Sequence, residues 1–482
     1  TSDLRLVHRL SPRDRLVLAG YLYRQFDAPR TDQCPPPEAP LTECLEFEEQ
    51  FRTQAYAKAE LSPGWAGLDL LTATAGYQRQ HERRRLARVG PLSVGAVNGG
   101  RDDIDIWSAR VDAETAGFDL LDGLRLRVAY GADGSHESVD SAAWTTLVRL
   151  DVTRVASRGQ YLNGSTFVQG GAFVAPRLDI GRDWSVRTGG RVAAASVEAP
   201  ADPESETRAV DQTWVTGVGN AGLAWHGVEG LEVLLNVEQG FRPPNLDDLT
   251  ARQPTGRGFQ LENPDLEPER SLTGEVGVRG RWRGLRAEVW AYQMWLFDLM
   301  ERRPADCPQS DRECRANRAA TQLQNLPGDA IVRGLEANLR LRPGLGLEAN
   351  AAIAYAWGEG PSPIPGDDER VPLSRIPPLS GHVDLGWQHA GTGLYAGGQV
   401  RWATDQTRLS VGDEGDARIP FGGTPGYVLA DLRGGLRVGR QLMLNIVLEN
   451  LTDAPWRVHG SSVNGPGRGL VVNLEVEPWS DE

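Results

Sequence analysis

The chain has 482 residues, a net charge of −14 and a mean hydropathy of −0.39. That acidic balance excludes the basic footprint a nucleic-acid partner requires. No apolar run of about 18 residues occurs, which excludes a membrane-spanning helix, but a spanning sheet stays open because half of each strand in such a sheet is polar.

The first strand is read at Leu4–Leu10, followed by a tight turn at Ser11–Asp14. A long polar loop, Phe26–Leu45, holds Cys34 and Cys44. A second cysteine pair, Cys307 and Cys314, sits in another polar loop. Metal binding would call for helping histidines or a close CxxC, and neither is present. Both pairs are therefore expected as disulfides within their loops, in an oxidising compartment. Further on, Leu124, Leu126, Val128 and Tyr130 alternate with Arg125 and Arg127. The same two-residue period recurs at Leu231–Glu238, Leu335–Arg342, Gln441–Asn450 and Leu470–Glu477. Successive strand side chains face opposite sides, so each strand has one apolar and one charged face. Arginine beside glutamate would be costly in a dry core and costs little in a wet lumen. The pattern predicts an all-β chain, an antiparallel barrel with lipid outside and water inside.

Short turns at Ser62–Gly64, Gly181–Asp183, Gly227–Gly230, Arg283–Gly284, Pro343–Gly344 and Gly391–Gly393 alternate with long loops. Those loops are placed at Gln80–Asp102, Ala132–Tyr161, Glu198–Gln212, Phe241–Arg270, Met300–Ile331, Gly358–Ser380, Asp405–Pro425 and Thr452–Gly467. Trp107, Trp144, Trp214, Trp290, Trp295, Trp357 and Trp402 lie in or at the ends of strands, as an aromatic girdle requires. The reading yields about nineteen strands. The first and last both run toward the short-turn side, whereas a bacterial barrel normally has an even number with both ends there. A single barrel domain, residues 1–482, lacking its first strands is the expectation, with no native neighbour for Leu4–Leu10.

Two segments carry a family likeness. Phe241-Arg242-Pro243-Pro244-Asn245-Leu246 precedes Asn263-Pro264-Asp265-Leu266-Glu267-Pro268-Glu269. Near the end, Asn450-Leu451-Thr452-Asp453 precedes Pro466-Gly467-Arg468. In order and spacing these resemble motifs of TonB-dependent outer-membrane receptors. The resemblance implies a barrel of about 22 strands, a size class whose lumen is plugged. It also implies an N-terminal plug domain and a TonB-engaging motif, neither of which is in this chain, so TonB would be engaged through that missing region. The other implied partners are outer-membrane lipid and lipopolysaccharide, and a small-molecule or metal-chelate ligand. Arg242, Pro244, Asn245, Asn263, Pro264, Leu266, Pro268, Glu269, Asn450, Leu451, Asp453, Gly467 and Arg468 are assigned to architecture, because proline ends strands and Asn or Asp side chains satisfy turn backbone. One departure is the charged tail Glu477–Glu482, where Trp479 stands in for the terminal aromatic residue of the family.

Chemistry of other kinds finds little footing. None of the seven histidines forms an HExxH or HxH arrangement, and no GxSxG elbow occurs. No cofactor and no catalytic or metal site is predicted. His81–Arg88 and Asp102, Asp103 and Asp105 read as solvated charge near loop bases, with lipopolysaccharide, a ferric siderophore or a cation as the functional alternatives. Lys58 is the only lysine; a GC-rich coding sequence accounts for that more simply than anion recognition does. The expected function is the barrel portion of an importer for a scarce nutrient such as a ferric siderophore, haem, cobalamin or glycan. A passive porin is the alternative, and a soluble all-β binding protein is a third reading.

Overall fold

A computed structural model describes residues 1–30, 43–64, 67–89, 94–255, 258–309, 311–315, 319–416, 418–439 and 441–476. One antiparallel sheet dominates. Three of its 22 strands are short ribbons (Phe118–Leu121, Val152–Val155 and Arg370–Pro372), which leaves nineteen in the main ladder. These are β1 Ser2–Arg9, β2 Arg15–Pro29, β3 Glu43–Leu61, β4 Leu68–Val89, β5 Val94–Thr115, β6 Leu124–Leu147, β7 Ser165–Ile180, β8 Trp184–Ala199, β9 Val210–Val228 and β10 Leu231–Arg242. Then follow β11 Glu269–Trp282, β12 Leu285–Phe297, β13 Asp329–Gly344, β14 Leu347–Pro361, β15 Ser380–Gln388, β16 Tyr395–Ala403, β17 Tyr427–Val438, β18 Leu442–Glu449 and β19 Gly469–Val476.

Each strand pairs with the next in sequence, up and down. Among the described residues, β1 and β19 do not pair with each other. The sheet nevertheless curls round an interior, because residues of β3 and β4 share one cavity with the loops that follow β10, β14 and β16.

The alternating residues take the two faces their sequence requires. Leu335, Leu339 and Leu341 of β13 stand exposed, as do Leu470, Val472, Leu474 and Val476 of β19. A continuous apolar surface of this kind would drive association in water; against lipid it is solvated. The opposite face carries cross-strand ion pairs. Arg340 and Arg342 reach Glu348 at 2.7 and 3.0 Å, Arg401 meets Asp431 at 3.2 Å, and Arg191 grips both Asp133 oxygens at 2.7 and 2.9 Å. Exposed pairs of this type stabilise by little, about 0–1 kcal/mol each. They keep the inner wall wet and polar without leaving bare charge.

The lipid belt has a visible upper edge on β3–β5. Outward rows run Ala57–Ala75–Ala109, then Ala55–Tyr77–Trp107, then Thr53–Arg79–Asp105. Tyr77 and Trp107 touch at 4.6 Å between centroids, and Trp107 is 61 % exposed. One row higher the surface is charged: Arg79 lies 3.4 Å from Asp105 and 3.1 Å from Asp103. An aromatic step between alanine and ion pairs is what a membrane–water interface selects. From Leu68 to Tyr77 the strand has the length of the 9–11 residues that cross a bilayer at a tilt.

Two placements differ from the sequence reading. The loops assigned to Gln80–Asp102 and Ala132–Tyr161 are largely strand, since β4 continues to Val89, β5 starts at Val94 and β6 runs to Leu147. Above the lipid belt both faces of these strands meet water, so the alternation of apolar and polar residues disappears while the backbone pairing continues. Of the seven grouped tryptophans, Trp214 packs into a buried cluster and Trp290 lies beneath Arg279 at 5.1 Å, so neither belongs to a lipid-facing girdle. The tail with Trp479 lies outside the described residues.

Candidate functional site

The long loops pack on one another at the end of the sheet opposite the short turns. Their core joins Val139 of β6, Phe167 of β7, Val197 of β8 and Val210 of β9 to Leu162, Leu246, Leu249, Leu266 and Met300 from the loops. The motif residues build this floor. Arg242 ends β10 and pairs with Asp248 at 2.8 Å and Glu269 at 2.9 Å. Pro244 is fully buried. Asn245 caps a short helix, α1 (Leu246–Thr250), in a reciprocal capping box with Asp248. Asn263 donates to the Leu323 carbonyl at 2.8 Å and accepts from the Asp265 amide at 3.1 Å, and Glu269 accepts from the Met300 amide at 2.8 Å. Pro264 is half-buried, and Leu266 and Pro268 are buried.

The C-terminal motif is equally internal to the fold. Asn450 is 2 % exposed with φ +45°, in the left-handed region where asparagine is tolerated. Its amide side chain donates to the carbonyls of Ala454 and Pro466 and accepts from the Ala454 amide. Leu451 donates its amide to Ala430 at 2.8 Å. Asp453 accepts from the Arg468 amide at 2.8 Å, and a Cβ at Gly467 would come within 2.8 Å of that carboxylate.

A second loop unit is a four-stranded sheet made of Gln253–Thr255, Gly258–Leu261, Met300–Ala305 and Ala320–Asn325. Phe259 and Leu261 are buried beneath it, next to the disulfide Cys307–Cys314. Arg252 packs over Phe259 at 5.1 Å and pairs with Glu262 and Asp311. Burial opposes its charge, but these two carboxylates outweigh that and raise its pKa. Cys44 is also disulfide-bonded, while Cys34 lies outside the described residues.

Between these units and the inner wall of β2–β6 lies a cavity of about 1500 Å³. Arg52 of β3 and Arg84 of β4 line one side; Arg302 of the small sheet and Arg375 and Arg418 of later loops line others. Asp102 and Tyr161 form part of the floor. Burial, then the nearby Asp247 and Asp102 charges, push the Tyr161 phenol upward, so it stays protonated. Arg158 is buried and donates to the main-chain carbonyls of Gly159, Gln160 and Thr250, which ties the segment under the cavity to α1. Of these residues only Arg84 and Asp102 fall in the charge clusters read from sequence. They come from separate loops and strands, and only the curl of the sheet brings them together.

The charge clusters weighed from sequence resolve into pairs. Asp103 receives Arg79, His81 and Arg101, while Asp102 accepts from Ser141 and lies 3.7 Å from Arg84. Among the described residues, no three His, Cys, Asp or Glu side chains converge as a metal site.

Against known proteins, the family described as "TonB dependent receptor-like, beta-barrel" matches residues 6–451, a range that starts well upstream of the motifs and includes the first of them. A haemoglobin-haptoglobin utilization protein B from Neisseria meningitidis serogroup C is 24 % identical over 258 residues, covering 49 % of this chain and 31 % of that protein. An iron-regulated outer membrane virulence protein from Vibrio cholerae (El Tor Inaba) is 26 % identical over 267 residues, covering 54 % and 36 %. The matched part thus spans about a third of these relatives' lengths. Among solved structures, the copper transporter OprC superposes with a TM-score of 0.78 at 18 % identity, over 98 % of this chain and 70 % of that one. The Serratia marcescens hemophore receptor HasR superposes at 0.72 with 16 % identity, over 98 % and 70 %.

Proposed function

The chain belongs to the TonB-dependent receptor β-barrels of the Gram-negative outer membrane, and from that premise we propose that it forms the barrel of an energy-coupled importer of a scarce metal-containing nutrient. The family is one of receptors and transporters, and structures of similar fold include a copper transporter, a hemophore receptor, a siderophore receptor and an iron transporter. We read residues 1–482 as one barrel domain whose lumen receives a plug domain and whose energy comes through TonB. The observation that carries the reading is the vestibule. It is large enough for a chelate of several hundred daltons, charged and apolar side chains line it in similar measure, and it opens at the loop end of a wet lumen.

In this reading the loops capture the ligand and the plug controls its passage. The motif residues keep the loop floor in place and do not touch the ligand. Uptake of a labelled ferric or haem substrate by cells making the full-length receptor should be abolished when TonB is absent. Uptake that persists without TonB, together with steady large conductance of the full-length protein in planar bilayers, would establish a passive porin instead.

A further inference from the structure

We propose that the vestibule selects an anionic ligand, recognised by Arg52, Arg84 and Arg302; this rests on the importer reading and adds the sign of the cargo's charge. The vestibule is lined by eight arginines against four carboxylates, in a chain whose overall charge is −14. Several of the eight are committed to structure. Arg252 serves Glu262 and Asp311, Arg375 and Arg418 converge on Asp416, and Arg158 serves main-chain carbonyls. Arg30 is also engaged, and the other three are held differently. Arg52 donates to the Gln78 carbonyl oxygen, Arg84 to that of Gln160, and Arg302 to that of Gln260 at 2.8 Å. Carboxylates approach Arg84 only to 3.7 Å, from Glu82 and Asp102.

A glutamine amide orients a guanidinium without cancelling its charge. Each of these groups keeps donor positions for a ligand, with Glu82 and Asp102 offsetting part of the Arg84 charge. A fork of fixed donors suits the carboxylate, catecholate or phosphate oxygens of a chelate. Because Arg52 and Arg84 stand on the barrel wall and Arg302 on the small loop sheet, a ligand held by all three would draw the loop unit against the wall.

The test uses full-length receptor purified in detergent, titrated with ferric citrate as the anionic probe and ferrioxamine B as the cationic one. Ferric citrate should bind at least about tenfold more tightly, and each of Arg52→Gln, Arg84→Gln and Arg302→Gln should weaken it by about tenfold, the size expected for one charged hydrogen bond. Gln78→Glu, which neutralises Arg52 without removing it, should weaken it likewise, and raised salt should erase the preference. Heat-modifiable migration on electrophoresis confirms that each variant is folded. Equal or reversed preference, no binding of either probe, or folded variants with unchanged affinity would overturn the proposal. TonB-dependent growth on chelates regardless of their charge would sink the anion inference and leave the importer reading standing. Failure to grow on any chelate, with receptor present in the outer membrane, would sink the importer reading itself.

Discussion

Asn450 illustrates how much structure one side chain can hold. It is buried with positive φ, and its amide closes the loop between β18 and β19 on both sides. Alanine there strands buried carbonyl and amide groups and adds backbone strain. We expect Asn450→Ala to destabilise the barrel by about 2 kcal/mol or more, seen as a lower transition temperature in heat-modifiability gels. His459 makes a different prediction. Burial and the Arg375 charge lower its pKa against the opposing pull of Asp413 and Asp416, and its Nδ1 meets the Thr424 hydroxyl at 2.9 Å. With the folded value below the unfolded one, the docked loops bind a proton more weakly than the open chain does. Their stability is therefore complete above about pH 6.5 and is lost as pH falls through that value toward the lower folded one. Hydrogen-exchange protection factors in residues 456–466, with the intrinsic pH dependence of exchange divided out, should be lower at pH 5 than at pH 7.5, and His459→Gln should flatten that difference.

Among the elements, the small loop sheet depends most on a covalent tie. Its disulfide closes a loop of seven residues' separation, which the chain-entropy account values at about 2.5 kcal/mol. Reduction, or Cys307→Ser with Cys314→Ser, should expose residues 300–325 to proteolysis while the membrane strands stay resistant; equal resistance would show that packing around Phe259 suffices. The strands themselves divide into legible and illegible parts. Inside the lipid belt, alternation as regular as that of Leu470–Val476 marked both strand and face. Above it, Arg79 to Arg85 carry charge on both faces, and hydropathy cannot tell such a strand from a loop. The turns and the proline-bearing motifs were legible because their chemistry is local. The vestibule was legible only in part: Arg84 stood in the His81–Arg88 cluster, but Arg52 and Arg302 share no local pattern with it and meet it only through long-range register.

For the molecule as a whole, the aromatic row at Tyr77 and Trp107 fixes how deep the barrel sits. No free cysteine occurs among the described residues, so single-site spin labels can test this placement. A label at Ala75→Cys should be relaxed mainly by oxygen dissolved in lipid, and one at Arg79→Cys mainly by a water-soluble nickel chelate. If both behaved alike, the belt would have to be moved by at least a row.

That boundary also sets an altitude. From Tyr77 to Arg84, strand β4 climbs seven residues, about 23 Å along the strand at 3.3 Å each and about 18 Å vertically at a tilt near 40°. Ionic screening at physiological salt has a reach of about 8 Å. The Arg84 level of the vestibule therefore stands more than two screening lengths above the phosphate-bearing surface of the outer leaflet, and Arg52, level with Gln80, about one. A negatively charged cargo can be taken up there before it feels the repulsion of the membrane it must cross, and the last part of its descent runs inside a wall that shields it.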